Sequence, residues 1–233
     1  TAHAATLTFS PSSATRAVGD TVTITIRVTS TDQAMNAAVK NGKVDLIFVG
    51  DSITHCFGGE PQTGESFNNR GKESWDKLYA PRHAVNLGIS GDRTQHVLYR
   101  LMNGNLEGIK PKAAVVMIGT NNIRSNSPEE IADGVAAICD VIQQRSPGTK
   151  ILLLGLFPRE DVNSPNRKLV EEVNRIISKP GRTCAHSYMD IGKIFLNPDG
   201  SLNNELWNDP VHPNTKGYVA WAAEIEPVLK KLM

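Results

Sequence analysis

Residues 44–54 read VDLIFVGDSIT, from Val44 to Thr54, and this stretch decides the fold. The apolar run after Asp45, bounded by Gly50 and nearly free of charge, predicts a strand buried on both faces, as in parallel sheets. The run stops at Gly-Asp-Ser, so Ser52 stands where a central strand ends and the chain turns toward a helix. Open α/β sheets place their ligands at that edge. A serine that merely caps the next helix gives the same Asp-Ser pair, so a catalytic reading needs partners from elsewhere in the chain.

Outward from this stretch the chain alternates. Strand-like runs at Ala84 to Leu87, Ala113 to Ile118, Lys150 to Leu156 and His186 to Asp190 are interleaved with helical patterns. Those patterns lie near Glu73 to Tyr79, Thr94 to Met102, Pro128 to Arg145, Arg167 to Ser178 and Thr215 to Leu232. The order predicts an α/β protein: a mainly parallel five-stranded sheet between helix layers, a three-layer α/β/α sandwich with right-handed crossovers. The loop from Gly58 to Gly71 is long for a compact domain and leaves the same sheet edge as Ser52, so it is expected to overhang the site.

Upstream, Val22, Ile24, Ile26 and Val28 alternate with Thr23, Thr25, Arg27 and Thr29, the period of a half-buried strand. Thr6 to Phe9 supplies a candidate partner. This short N-terminal β arm, with its linker, divides the chain into residues 1–40 and a main domain of residues 41–233. Two strands alone are marginal in water; the arm is expected to pack on the main domain, to pack on another subunit in a homo-oligomer, or to be the remnant of a larger β-module.

The chain of 233 residues is long enough for one sizeable core. Its 25 Lys and Arg against 24 Asp and Glu argue against a nucleic-acid surface, which needs a clustered basic excess. No apolar stretch is long enough to span a bilayer. The three cysteines, Cys56, Cys139 and Cys184, are scattered and odd in number, so neither a disulfide framework nor a zinc cluster is expected. The opening TAHAATL has small residues where the tail of a removed export signal would have them, so a secreted or periplasmic protein is expected, with a cytoplasmic one as the alternative.

Chemistry enters where four blocks converge. The second strand leads into NLGISGDRT, the third into MIGTNN, and NDPVHPN follows the fifth. Each lies at the carboxyl end of a strand, so Gly91, Asn121, Asp209 and His212 are expected on the same rim as Ser52. A serine needs a base within hydrogen-bond reach and a group to orient that base. His212 is the candidate base, and Asp209, three residues earlier, can hold its tautomer and stabilise the imidazolium. Acyl transfer also needs donors aimed at an oxyanion. Gly91 can offer an unobstructed backbone N–H, Asn121 a side-chain amide, and Ser52 its own N–H.

The blocks GDSIT, GISGD, GTNN and DPVH resemble those of the GDSL/SGNH hydrolase superfamily from Val44 to the C-terminus. Within it, NLGISGDRTQHVLYRLMNGNLEGIKPK and LLLGLFPRE look most like the platelet-activating-factor acetylhydrolase catalytic-subunit group and its bacterial relatives. The resemblance implies a flavodoxin-like fold, no metal or organic cofactor, and ester hydrolysis through an acyl-enzyme. Carried over by residue, it makes Ser52 the nucleophile, Gly91 and Asn121 oxyanion donors, and Asp209 with His212 the rest of a triad.

Ile53 and Val211 neighbour the nucleophile and base and are candidates to line a small acyl pocket, so the expected substrate is an acetyl ester. If the protein is exported, the alcohol is expected to be a polysaccharide. Lysophospholipids and thioesters are alternatives for this superfamily, and a silent glycan-binding module is the alternative outside enzymes. Cys56 is a less favoured nucleophile than Ser52. Asp51 is expected to brace the serine turn, Asn122 and Asp92 to hold their loops, and His55 to be structural or on the site rim. Arg93 and Arg159 are read as solvated arginines that could steer an acidic substrate.

Overall fold

The computed structural model describes residues 42–59 and 69–233. The expected N-terminal arm and the middle of the Gly58 to Gly71 loop lie outside the described residues.

Five strands form one sheet in the order β2-β1-β3-β4-β5, with every adjacent pair parallel. They are β1 (Leu46–Gly50), β2 (Ala84–Gly88), β3 (Ala113–Met117), β4 (Lys150–Leu154) and β5 (Ser187–Met189). Every residue of β1, β2 and β3 is buried. This is why β1 and β3 read as continuous apolar runs rather than as alternation, while β2 carries one buried polar residue, Asn86.

The principal helices are α1 (Ser52–His55), α2 (Lys72–Ser74), α3 (Thr94–Arg100), α4 (Pro128–Arg145), α5 (Pro165–Ile177) and α6 (Thr215–Leu232). Helices α3, α4 and α5 pack side by side, while α6 packs on β4 and against α2. The result is the expected three-layer sandwich. Among the described residues no helix is long and apolar enough to cross a membrane.

Several ends differ from the sequence reading for local reasons. Strand β4 stops at Leu154 rather than Leu156. The Leu156 N–H is taken by Asn174 Oδ1 (2.8 Å) and its carbonyl by Asn174 Nδ2 (2.9 Å), so a side chain replaces the ladder. Helix α5 starts two residues early, at Pro165, with Ser164 capping the Asn166 N–H, a Ser-Pro start whose proline suits the first helical position. Helix α4 begins where expected because Ser127 and Glu130 form a reciprocal capping box around Pro128. The segment after α2 departs from a regular α-helix: Trp75–Tyr79 is a wide π turn and Ala80–Arg82 a tight 3₁₀ turn.

The aromatic part of the core lies directly beneath the nucleophile turn. Phe57 contacts Phe48, Trp75, Tyr79, Tyr218 and Trp221, all but Phe48 edge-on, with ring centroids 4.7 to 5.9 Å apart. Tyr218 on α6 donates its hydroxyl to the Ile53 carbonyl at 2.7 Å, which ties α1 to the C-terminal helix. A second aromatic group, Phe157, Phe195 and Trp207, underlies the loop that carries His212.

Candidate active site

Ser52 is the first residue of α1, and Asp51 is the cap before it, accepting from the Ile53 N–H at 3.0 Å. At that position the Ser52 N–H has no intrahelical acceptor. The turn is rigid because its neighbours hold its backbone. Asn86 on β2 donates to the carbonyls of Thr54 (2.8 Å) and Gly58 (2.6 Å). Gly88 lies so close that a Cβ there would be 2.4 Å from the His55 nitrogen.

The acid–base loop is a narrow turn. Trp207 bridges Pro213, the Asn208 N–H donates to the His212 carbonyl at 2.9 Å, and the Trp207 indole anchors on the Phe195 carbonyl at 3.0 Å. Immediately after it, Asn214 caps α6 by accepting from the Gly217 N–H. Within the turn, Asp209 accepts from the backbone N–H groups of Val211 and His212, both at 2.9 Å. Its two carboxylate oxygens lie 3.0 and 2.9 Å from His212 Nδ1. On the other side of the ring, Nε2 lies 2.8 Å from Ser52 Oγ. A carboxylate on Nδ1 places the proton there and leaves Nε2 free to accept the serine hydroxyl.

Partial burial works to raise the Asp209 carboxyl, but the Val211 and His212 N–H groups, the His212 ring and the Asn208 amide together hold it below its usual range. It is therefore a carboxylate at neutral pH.

The two expected donor loops leave β2 and β3, the strands on either side of β1. Gly91 has φ of 86°, a left-handed conformation that favours glycine. Asn121 sits in the Thr120–Asn122 turn and donates one amide hydrogen to the Asp92 carbonyl at 2.8 Å, which couples the two loops and leaves its second N–H. Asp92 is held by a buried ion pair with Arg100, at 3.0 Å from Nε and 2.6 Å from Nη2. Asn122 accepts from the Thr94 N–H at 3.0 Å. Both residues hold their loops, as expected.

Two expectations are corrected, those for Ile53 and Arg159. Ile53 is 2% exposed and part of the core, so it lines no open acyl pocket; Val211, half-buried against the core, is the one of the pair that borders solvent. Arg159 is not a solvated arginine: it is 8% exposed and bonded to Thr120. Cys56 is buried, and burial, only partly offset by Arg70 and Tyr218, pushes its thiol up to about 11, far from a thiolate nucleophile. His55 is buried beside Ser90 (3.1 Å); burial first, and Arg100 second, lower its pKa, so it is neutral. His83 and His186 precede β2 and β5, at the sheet edge opposite Ser52. Glu160, the partner of Arg159, is the residue of this neighbourhood that the sequence reading missed; only its place after β4, on the same rim, could have signalled it.

A sequence profile of the GDSL-like lipase/acylhydrolase family matches residues 48–220. The chain is 36% identical over 195 residues to the platelet-activating factor acetylhydrolase IB subunit alpha2 of Rattus norvegicus, an alignment spanning 83% of this chain and 80% of the relative. Among solved structures, a GDSL-like lipase from Bacteroides thetaiotaomicron superposes with a TM-score of 0.68 at 17% identity, over 88% of this chain and 98% of the other. An acetyl-xylooligosaccharide esterase from Geobacillus superposes with a TM-score of 0.57 at 22% identity, over 83% and 96%. The folds agree, the profile runs through the serine turn and both donor loops to the histidine, and the chain therefore belongs to the GDSL-like lipase/acylhydrolase family and is a carboxylic ester hydrolase.

Proposed function

We propose that Ser52 is the nucleophile of a serine acetylesterase, with His212 as general base and acid, Asp209 as its orienting carboxylate, and Ser52, Gly91 and Asn121 as oxyanion donors. The observation that carries the assignment is the continuous chain from the Asp209 carboxylate through the His212 ring to Ser52 Oγ, with the last link 2.8 Å long.

Ser52 Oγ attacks the ester carbonyl carbon while its proton passes to His212 Nε2. The carbonyl oxygen, now an oxyanion, faces the donors. Collapse breaks the bond to the alcohol, which takes the proton from His212 and leaves an acetyl-serine. Water attacks that ester by the same route, giving acetate and free Ser52.

The acetyl preference is supported by the name of the rat relative, an acetylhydrolase. For the alcohol we favour a carbohydrate hydroxyl, in keeping with the acetyl-xylooligosaccharide esterase that shares the fold. A phospholipid alcohol is the competing reading suggested by the rat relative's name.

Initial rates on p-nitrophenyl acetate, butyrate and octanoate, with Ser52→Ala in parallel, test the acyl assignment. Acetate is expected to dominate and the variant to be inactive. Octanoate rates equal to acetate rates would overturn the acetyl reading, and turnover surviving in Ser52→Ala would overturn the nucleophile. Acetate release from acetylated xylan against an acetylated ether phospholipid then decides the alcohol.

A further inference from the structure

Arg159 and Glu160 follow β4 and meet both halves of the site. Arg159 Nη1 donates to the Thr120 carbonyl and to its hydroxyl, each at 3.0 Å. Thr120 is the residue before Asn121. The remaining edge of the guanidinium, Nε and Nη2, grips Glu160 Oε1 at 3.2 and 3.0 Å. The Glu160 N–H in turn donates to the Pro210 carbonyl at 3.0 Å. Pro210 is the residue after Asp209. A single short path of hydrogen bonds therefore joins the loop of the proposed oxyanion amide to the loop of the proposed acid–base pair.

The path is held stiffly. Glu160 has φ of 59°, a left-handed conformation that a residue other than glycine keeps only where its surroundings over-determine it. Here Ser164 Oγ donates to its carboxylate at 2.7 Å and Asn166 Nδ2 at 3.0 and 3.1 Å. Arg167, 2% exposed, donates its Nε to the Arg159 carbonyl at 3.1 Å. Strain of this kind, concentrated at loop residues between functional groups, points to positioning.

We propose that Arg159, acting through Glu160, is a positioning residue that sets the Asn121 amide and the Asp209–His212 pair in register, so that a single transition state meets both. The inference rests on the roles proposed above and adds a residue to them. Neither Arg159 nor Glu160 touches the reacting atoms; the effect is on where the groups that do are held. A donor or base displaced by a fraction of an ångström to an ångström costs turnover rather than substrate affinity.

The test is Arg159→Met, alone and combined with Asn121→Ala, with Arg159→Lys as the conservative variant. Active sites are counted by the p-nitrophenolate burst from diethyl p-nitrophenyl phosphate, and kcat on p-nitrophenyl acetate is expressed per titrated site. Arg159→Met is expected to lower kcat about ten- to a hundredfold with KM changed less than about threefold. Arg159→Lys should recover part of the loss. In the Asn121→Ala background the same substitution is expected to cost less than about threefold, because the donor it positions is gone. Equal losses in both backgrounds, or an unchanged kcat per titrated site, would overturn the proposal and leave Arg159 a folding residue.

A wild-type protein that gave neither burst nor turnover would instead defeat the proposed nucleophile. The positioning claim is then decided by nuclear magnetic resonance. The Asn121 side-chain amide, identified by its disappearance in Asn121→Ala, must shift in Arg159→Met, and an unmoved resonance overturns the claim.

Discussion

On one side of the site Ser52 heads a four-residue helix in which every residue is buried, held by Asn86, by the aromatic core and by the closeness of Gly88. On the other side Asp209 and His212 stand on a turn with side chains 39% and 26% exposed, held by hydrogen bonds that Asp209 itself makes to its own loop. Each side carries an aspartate, and the two carboxyls are shifted in opposite directions. Burial, reinforced by Asp92 and only partly offset by the Ile53 N–H and Arg159, pushes the Asp51 carboxyl up to about 7. Asp209 is held below its usual range despite its own partial burial. The same residue type is thus a structural cap where it is dry and a charged partner where donors surround it. The buried side of the site is built by packing, and the half-exposed side by electrostatics.

The sharpest way to break this comparison is Asp209→Asn. The amide oxygen can still accept from Val211 and His212, so the turn survives. Its NH₂ group, facing Nδ1, favours the tautomer with the proton on Nε2, which can no longer accept from Ser52. The expected loss in kcat is about 10⁴-fold, the size seen when a triad aspartate is replaced in this way, with the thermal midpoint nearly unchanged. A loss under about tenfold would mean that the carboxylate orients nothing.

Gly88→Ala probes the packed side. Its Cβ would stand 2.4 Å from the His55 nitrogen and 2.9 Å from the Thr54 carbonyl carbon, both backbone atoms with little room to give. Urea unfolding should show a loss of about 1–3 kcal/mol, with a proportionate fall in active protein. An unaltered unfolding midpoint would show that β2 does not clamp the nucleophile turn.

The smallest effect is expected from Asp51→Asn, and it is visible mainly through pH. Between about pH 4, where an unfolded aspartate titrates, and about 7, the folded value of Asp51, the folded state binds more protons than the unfolded one. Its contribution to stability is therefore fully present below about pH 4 and falls as the pH rises through 7. Asn has no such dependence, so the variant should gain on the wild type as pH rises over this window, with kcat changed by less than about tenfold. A wild-type and variant difference that is flat from pH 4 to 8 would place Asp51 among ordinary ionised carboxylates. Asp209 has the opposite sign: its contribution is present above about pH 4 and fades as the pH falls through its lowered folded value.

The sequence was legible wherever a local pattern had one physical reading. The apolar run before Ser52 could be buried only within a parallel sheet, and blocks that follow such strands arrive at one rim. Asp209 and His212, three residues apart, needed only a tight turn to meet. Ile53 was misread because adjacency to Ser52 says nothing of which way a side chain faces: the first turn of α1 directs it into the core. Arg159 was misread because arginine is ordinarily solvated, and nothing near it in sequence reveals that Thr120, thirty-nine residues away, accepts from it.

By itself the sequence determined the strand order of events: which strands are buried, which helices separate them, and therefore which of its residues gather at the carboxyl edge. Periodicity is local and crossover handedness is nearly universal, so both can be read along the chain. Only the tertiary structure decided how the loops at that edge hold one another, through the Asn121 bond to Asp92, the burial that raises the Asp51 carboxyl, and the Arg159–Glu160 bridge from Thr120 to Pro210. Those contacts join loops from different crossovers, and a hydrogen bond between residues far apart in the chain leaves no period and no spacing in the sequence that forms it.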